Sequence, residues 1–170
     1  MPVDLLPDFG QYAEQADFYL KRDIFKGTPL NGQMLSDAAQ RSYLKTGVLV
    51  PVDLALAQAQ FETKMGTLGR NPKVNPFNIG EYDKGTKIKF SNLQEGIDFY
   101  YNTMATRYLS NKDVPELLTN FVNLEGNRYA SDKNYETKIS NQIGFINKFI
   151  LAMDKAVQGQ KQFGIGALKH

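Results

Sequence analysis

The chain has 170 residues, a formal net charge of +2, 42% hydrophobic residues and 22% charged residues, which is long enough and apolar enough for one globular domain. It has no cysteine, and its one histidine is the last residue, His170, so thiol nucleophiles, serine-histidine triads and histidine-ligated zinc sites are excluded. The nearly balanced charge argues against a nucleic-acid partner, and no apolar stretch approaches the length of a transmembrane helix. The sequence does not open with a basic segment followed by an apolar one, so we expect no signal peptide.

Residues 1–30 are predicted to form an N-terminal extension. Phe9, Tyr12, Ala16 and Tyr19 have a weak helical spacing, and the Lys-Gly-Thr-Pro sequence at 26–29 interrupts it. Two interpretations remain open, an extension that packs on the main body and an arm that docks a partner protein.

Two helices are predicted next, at 31–45 and 52–65. Thr46-Gly47 is a typical helix stop, and Pro51 suits a helix start because a missing N–H costs nothing there. Apolar residues recur along the second helix at core spacing, namely Leu54, Ala57, Phe61 and Met65. The second helix should therefore bury one face.

The stretch from 66 to 90 has many glycines, prolines and asparagines and no helical period. Within it, residues 82–86 read as a small β-hairpin between Ile79 and Ile88. Helices are predicted at 92–109, 113–124 and 134–157, the first two with a polar cap residue and a glutamate three positions later. A flexible tail is predicted at 159–170. The chain is thus predicted to be mainly α, with its principal domain at 31–158 and one small β element.

Four motifs follow one another along residues 45–155. An apolar helix ends in Glu62 and is followed by Met65-Gly66; then come Asn-Pro-Phe-Asn-Ile-Gly at 75–80, Tyr-Leu at 108–109, and Tyr-Ala-Ser-Asp at 129–132 with a further tyrosine at 135. This ordered set resembles the glucosaminidase-type family of the lysozyme superfamily. That family carries Glu-Ser-Gly-Trp-Gly, Asn-x-Phe-Gly-Ile, a small β lobe and Tyr-Ala-x-Asp-x-x-Tyr. This chain departs from the pattern with Thr-Lys-Met at 63–65 and Asn78 in place of glycine. The sequence at 75–86 also resembles that of lysozyme-like proteins carried by tailed phages.

The resemblance implies an α+β lysozyme-like fold in which the hairpin lobe flanks a substrate cleft, and it implies Glu62 as the catalytic acid. A glycosidic oxygen leaves only when it is protonated, so the enzyme needs a carboxylic acid that still holds its proton near neutral pH. Glu62 ends an apolar helix, where burial and the negative end of the helix dipole both disfavour a carboxylate anion. The alternative for Glu62 is a solvent-facing position on an amphipathic helix.

A second catalytic group is expected in the β lobe. Glu81 is the first choice, Asp83 is the second because it also fits a turn former, and the substrate's own N-acetyl group is a third possibility. The resemblance implies that Tyr129 lines the cleft near the acid. Phe77 either stacks on a sugar or plugs the lobe, and Tyr135 has the helical spacing of a core residue. The predicted substrate contacts are Asn75, Phe77, Asn78, Tyr82 and Tyr135.

The predicted function is hydrolysis of β-1,4 bonds between N-acetylated sugars of bacterial peptidoglycan, as a muramidase or a glucosaminidase. A lytic transglycosylase is the close alternative, since it needs only one acid/base glutamate. A wall-binding or structural virion component that has lost activity is the alternative from another class. No cofactor or metal is implied. The expected partners are glycan strands and, through residues 1–30, other virion proteins, with the protein carried in a phage virion or released onto the host wall.

Overall fold

The structure, a computed structural model, describes residues 6–80 and 88–168, and the described chain is mainly helical as predicted. The predicted hairpin at 82–86 lies outside the described residues. Within them, β pairing is limited to one isolated antiparallel bridge between Val122 and Arg128. The α-helices are α1 (Phe9–Leu20), α2 (Gly32–Thr46), α3 (Val52–Thr63), α4 (Leu93–Thr103), α5 (Val114–Leu117) and α6 (Tyr135–Leu168), with a 3₁₀ turn at Asp23–Phe25 and a π-helical turn at Met104–Tyr108.

Four helices begin at a polar cap residue whose side chain accepts a backbone N–H of the first turn. Asp8 caps α1, Asn31 caps α2, Asn92 caps α4 and Asp113 caps α5, with N···O distances of 2.9 Å in each case. Each cap satisfies a donor that has no partner inside the helix. The predicted starts at 31, 92 and 113 are therefore confirmed.

Two helix ends differ from the prediction. The helix expected at 113–124 stops at Leu117, because the chain then turns and the Phe121 N–H donates to the Glu136 carboxylate at 3.0 Å instead of continuing the helix. In contrast, α6 continues to Leu168, beyond the predicted end at 157 and through most of the tail expected to be flexible. The glycines of that segment weaken a helix by only about 1 kcal/mol each, and no proline interrupts it.

Helix α3 lies at the centre of the fold. Its residues 54–59 are all buried, so this helix is enclosed on every side rather than along one stripe. It packs against α6 and α1, while α2 packs against α1 and α4. None of the helices in the described part of the chain is both long and apolar enough to cross a bilayer.

The described part of the N-terminal segment packs on the main body. Tyr12, Tyr19 and Phe25 are buried, and the Tyr12 hydroxyl donates to the Val50 carbonyl at 2.9 Å. The Thr28 hydroxyl donates to the carbonyl of Met65, just after α3, at 2.5 Å. The segment therefore supports the end of the central helix, and a role in docking a partner protein stays a prediction.

Candidate active site

Glu62 stands in the last turn of α3, at a point where the chain reverses sharply. Lys64, Met65 and Gly66 follow with φ angles of 50°, 61° and 78°, all left-handed. The Thr63 hydroxyl donates to the Pro76 carbonyl at 2.6 Å and accepts the Gly66 N–H at 2.8 Å. This buried hydroxyl ties the helix end that carries Glu62 to the loop at 75–80.

The reversal places the next residues of the motif in the core. Met65, at the position of the family's tryptophan, is fully buried, so its side chain packs in the core. A Cβ added to Gly66 would come within 3.0 Å of the Pro29 ring and the Pro72 carbonyl, and its φ of 78° suits glycine. The glycine of the motif is therefore required by both backbone and packing.

The loop at 75–80 holds its shape through Asn75. Both polar ends of this buried side chain are used by Ile79: Asn75 Nδ2 donates to the Ile79 carbonyl at 3.0 Å, and the Ile79 N–H donates back at 3.1 Å. Asn75 was predicted to contact substrate; in the structure it is only 6% exposed and braces the loop. Asn78 has a φ of 48°, a conformation that asparagine tolerates, and its Nδ2 donates to Glu62 Oε1 at 3.3 Å.

A buried chain of hydrogen bonds lies beside the Glu62 carboxylate. The Tyr100 hydroxyl donates to Gln58 Oε1 at 2.5 Å, and Gln58 Nε2 donates to the Tyr135 hydroxyl at 3.0 Å. The Tyr135 hydroxyl is close enough to Glu62 for its pKa to respond to that side chain. Glu62 is half-buried, and its Oε2 atom has less than 1 Å² of accessible surface. Burial, reinforced by the nearby Glu62 charge, raises the pKa of Tyr135 well above its ordinary value. This hydroxyl therefore keeps its proton beside the carboxylate.

Tyr129 lies beside the same carboxylate. Its hydroxyl donates to the Phe77 carbonyl at 2.6 Å, and its ring stacks on that of Tyr135 at 5.8 Å between centroids. Burial raises the pKa of Tyr129, with smaller contributions from Tyr135 and Glu62. The structure thus brings together Tyr129, Tyr135 and Glu62 from the loop before α6, from α6 and from α3.

The Phe77 ring is fully buried and lies flat on Tyr100, with centroids 3.6 Å apart and an interplanar angle of 9°. It offers no face to a sugar here, which agrees with the plugging alternative rather than the stacking one. Tyr135 is also fully buried, as its helical spacing predicted. The part of Tyr135 that is near Glu62 is its hydroxyl and not its ring face.

Three predicted site residues, Glu81, Tyr82 and Asp83, lie outside the described residues, and their roles stay predictions. Gln58 was not predicted as a site residue, although a signal was available. It is an amide between two alanines, one helical turn before Glu62, and such a polar residue in a buried helix needs a partner.

A pocket of about 280 Å³ opens next to Tyr129. Its wall includes the π-helical turn, a kind of irregularity that is frequent at functional sites. Its lining combines uncharged polar side chains, aromatic rings and two arginines, Arg107 and Arg128; the polar and aromatic residues include Asn102, Thr106, Asn127, Tyr108 and Tyr129.

These features define a class of site. A half-buried glutamate at a helix end, with an amide and tyrosine hydroxyls near it and a polar and aromatic pocket next to Tyr129, is a group of residues suited to acid catalysis on a sugar. No group of three or more acidic, histidine or cysteine side chains suited to a metal ion occurs in the part of the chain that the structure describes. The site is built from carboxylate, hydroxyl and amide groups.

Comparison with known proteins agrees with this class. The Glucosaminidase family model, described as mannosyl-glycoprotein endo-beta-N-acetylglucosaminidase, matches residues 36–148, about two thirds of the chain, and the protein belongs to this family. No curated protein matches the chain significantly. As a family member the protein is a lysozyme-like glycoside hydrolase, with peptidoglycan of the cell wall as its substrate.

Proposed function

We propose that the protein cleaves the β-1,4 bond between N-acetylated sugars of peptidoglycan, with Glu62 as the general acid. The observation that carries the proposal is the Glu62 carboxylate itself, withdrawn from water at Oε2, with the Asn78 amide donating to Oε1 at 3.3 Å and the Tyr135 hydroxyl nearby. The amide is uncharged, so it orients the carboxylate without adding a charge of its own.

The proton balance of the reaction follows from this setting. Glu62 gives its proton to the glycosidic oxygen as the C–O bond breaks, and the leaving sugar departs as an alcohol. The carboxylate then formed accepts hydrogen bonds from the Asn78 amide and the Tyr135 hydroxyl. In that form it is suited to take a proton from the attacking water, which restores the acid.

The pocket beside Tyr129 supports a place for one sugar ring next to the acid. Its volume of about 280 Å³ is just below the range of about 300–1,000 Å³ usual for ligand sites, which suits a single sugar ring rather than a longer ligand. The hydroxyl and amide groups of Asn102, Thr106 and Asn127 suit sugar hydroxyls and acetamido groups, and the rings of Tyr108 and Tyr129 suit the apolar face of a sugar.

The group that stabilises the developing positive charge on the sugar is proposed to be Glu81, with Asp83 or the substrate's N-acetyl group as alternatives. If no second carboxylate is needed, Glu62 alone suffices for a lytic transglycosylase. Glu81→Gln tests this choice, because it should abolish activity only if Glu81 takes part in the reaction.

Lysis of purified peptidoglycan in a gel tests the function. Glu62→Gln keeps the size of the side chain but removes its acidic proton, so we expect clearing to disappear. Glu14→Gln is the matched control, because Glu14 is exposed on α1, and it should clear like the wild-type protein. Activity that survives Glu62→Gln would refute the mechanism, and an inactive wild-type protein would favour the structural virion component.

Mass spectrometry of the released fragments then identifies the bond. Reducing ends indicate hydrolysis and anhydro ends indicate a transglycosylase, while the sugar found at the new end separates a muramidase from a glucosaminidase. Finding the protein in purified phage particles would test the proposed virion setting and the proposed virion partners of residues 1–30.

A further inference from the structure

A second groove, of about 510 Å³, lies next to the end of α3. Two of its wall residues, Arg22 and Ile24, come from the N-terminal segment and lie outside the region matched by the family model. Phe61 on α3 and α6 residues complete it, with Lys138, Asn141 and Phe145 the ones that matter here. The N-terminal segment thus adds a surface to the matched region.

The groove is close to the candidate acid, Glu62. Phe61 directly precedes Glu62, and its ring packs edge-on against Tyr135 with centroids 5.4 Å apart. The Tyr135 hydroxyl in turn is near Glu62. A group attached to a sugar bound at Glu62 would therefore need to extend only a short way to reach Phe61.

Arg22 gives the groove a positive charge. Its guanidinium carbon lies between 5.0 and 5.9 Å from the centroids of four aromatic rings, and its Nη1 donates to the Tyr19 hydroxyl at 3.3 Å. Among the residues whose side chains are described, no carboxylate forms an ion pair with Arg22. Lys138 differs, because Asp132 neutralises it at 2.6 Å. The rings hold the Arg22 cation in place while leaving its charge for a ligand.

The rest of the lining is apolar and amide. Ile24, Phe61 and Phe145 are 45%, 39% and 46% exposed, unusually open for large apolar side chains, and Asn141 adds an exposed amide. One cation, three apolar side chains and an amide match a short peptide that carries a carboxylate and small apolar side chains. A bare glycan strand presents neither the carboxylate nor the methyl groups of such a peptide.

We propose that this groove binds the peptide stem of peptidoglycan, with a stem carboxylate on Arg22 and alanine methyl groups against Phe61 and Phe145. The proposal rests on the proposed function, since the stem is carried by the sugar strand at Glu62. An extended peptide covers about 3.3–3.6 Å per residue, so a stem of three residues extends over about 10 Å. The groove would then favour strands that still bear their peptides.

Binding is measured by NMR titration of the full chain with a free stem peptide, alanyl-isoglutamyl-lysyl-alanine of natural stereochemistry. We expect shifts confined to the groove, and about tenfold weaker binding in Arg22→Gln and in Asn141→Glu, because a charge-assisted contact is lost in one and a repulsive charge is added in the other. Arg41→Gln is the control: Arg41 is also exposed but pairs with Asp98 at 2.7 Å, outside this groove, and should bind as the wild type does.

Equal binding by the wild type and Asn141→Glu would overturn the proposal, and this variant stays informative even if Arg22→Gln unfolds, because Asn141 is exposed. A poly(glycerol phosphate) that competes as strongly as the peptide would overturn the assignment to a peptide carboxylate. Glu62→Gln should bind the peptide normally. Peptide binding by a wild-type protein that cleaves no glycan would therefore overturn the proposed function while supporting the groove.

Discussion

Tyr135→Phe removes a single hydroxyl that joins Gln58 to Glu62. Gln58 is fully buried and its Nε2 donates to this hydroxyl at 3.0 Å, so the variant leaves a buried donor without its acceptor, at a cost of about 1–3 kcal/mol in the free energy of unfolding. Glu62 also loses a neighbouring hydroxyl that, under the proposed function, helps to orient its carboxylate. A displacement of about 1 Å at a reacting group costs roughly a hundredfold in rate, so we expect kcat to fall about tenfold to a hundredfold with little change in KM.

Tyr100→Phe is the matched control for this prediction. It removes the hydroxyl that donates to Gln58 Oε1 at 2.5 Å, one step further from the acid, and leaves the contact between Tyr135 and Glu62 in place. Urea unfolding should show similar losses of stability in both variants, whereas steady-state rates on soluble glycan strands should fall mainly in Tyr135→Phe. Equal rate losses, or an undiminished rate in Tyr135→Phe, would refute the positioning role of the hydroxyl.

Two further variants test the surroundings of the site. The hydrogen bonds from Arg128 lower the pKa of Glu136 to about 2, below its unfolded value, so its contribution to stability is present above about pH 4.5 and lost as the pH falls toward 2. Glu136→Gln should lower the free energy of unfolding at pH 7 by about 1–3 kcal/mol. In urea titrations the variant should lose less of its unfolding free energy between pH 4.5 and pH 2 than the wild type does, and an unchanged pH dependence would contradict this account. Asn78→Gly keeps the left-handed backbone but removes the donor to Glu62, so we expect a change in stability of no more than about 1 kcal/mol together with a clear loss of rate, and a wild-type rate would show that the amide is dispensable.

Local signals in the sequence predict most of the helical frame. Asn31, Asn92 and Asp113 are polar residues at the starts of apolar periods, and each one caps a helix in the structure. The premature end of α5 could not be predicted in this way. There the Phe121 N–H finds its acceptor in Glu136, fifteen residues away, and only the tertiary fold brings the two together.

The candidate site, like the helical frame, was predicted in part by local sequence signals and depends in part on contacts between distant residues. Glu62 and Tyr129 were predicted from motif order, and the structure brings them together. The hydrogen bond from Tyr129 to the Phe77 carbonyl and the chain from Tyr100 through Gln58 to Tyr135 join residues far apart in sequence, so no spacing rule reveals them. Phe77 was ambiguous because an aromatic residue in a loop suits a sugar platform and a core plug equally well, and only its burial distinguishes the two.

The buried tyrosines of α1 limit how this enzyme can be dissected. A fragment trimmed to 36–148 would lack Tyr12, whose hydroxyl reaches the Val50 carbonyl, and Thr28, whose hydroxyl reaches the turn after Glu62. It would also cut α6 before the buried Ile150. We therefore expect such a fragment to be less stable than the full chain, and its failure to lyse cell walls would report the loss of this support and not a missing active-site residue.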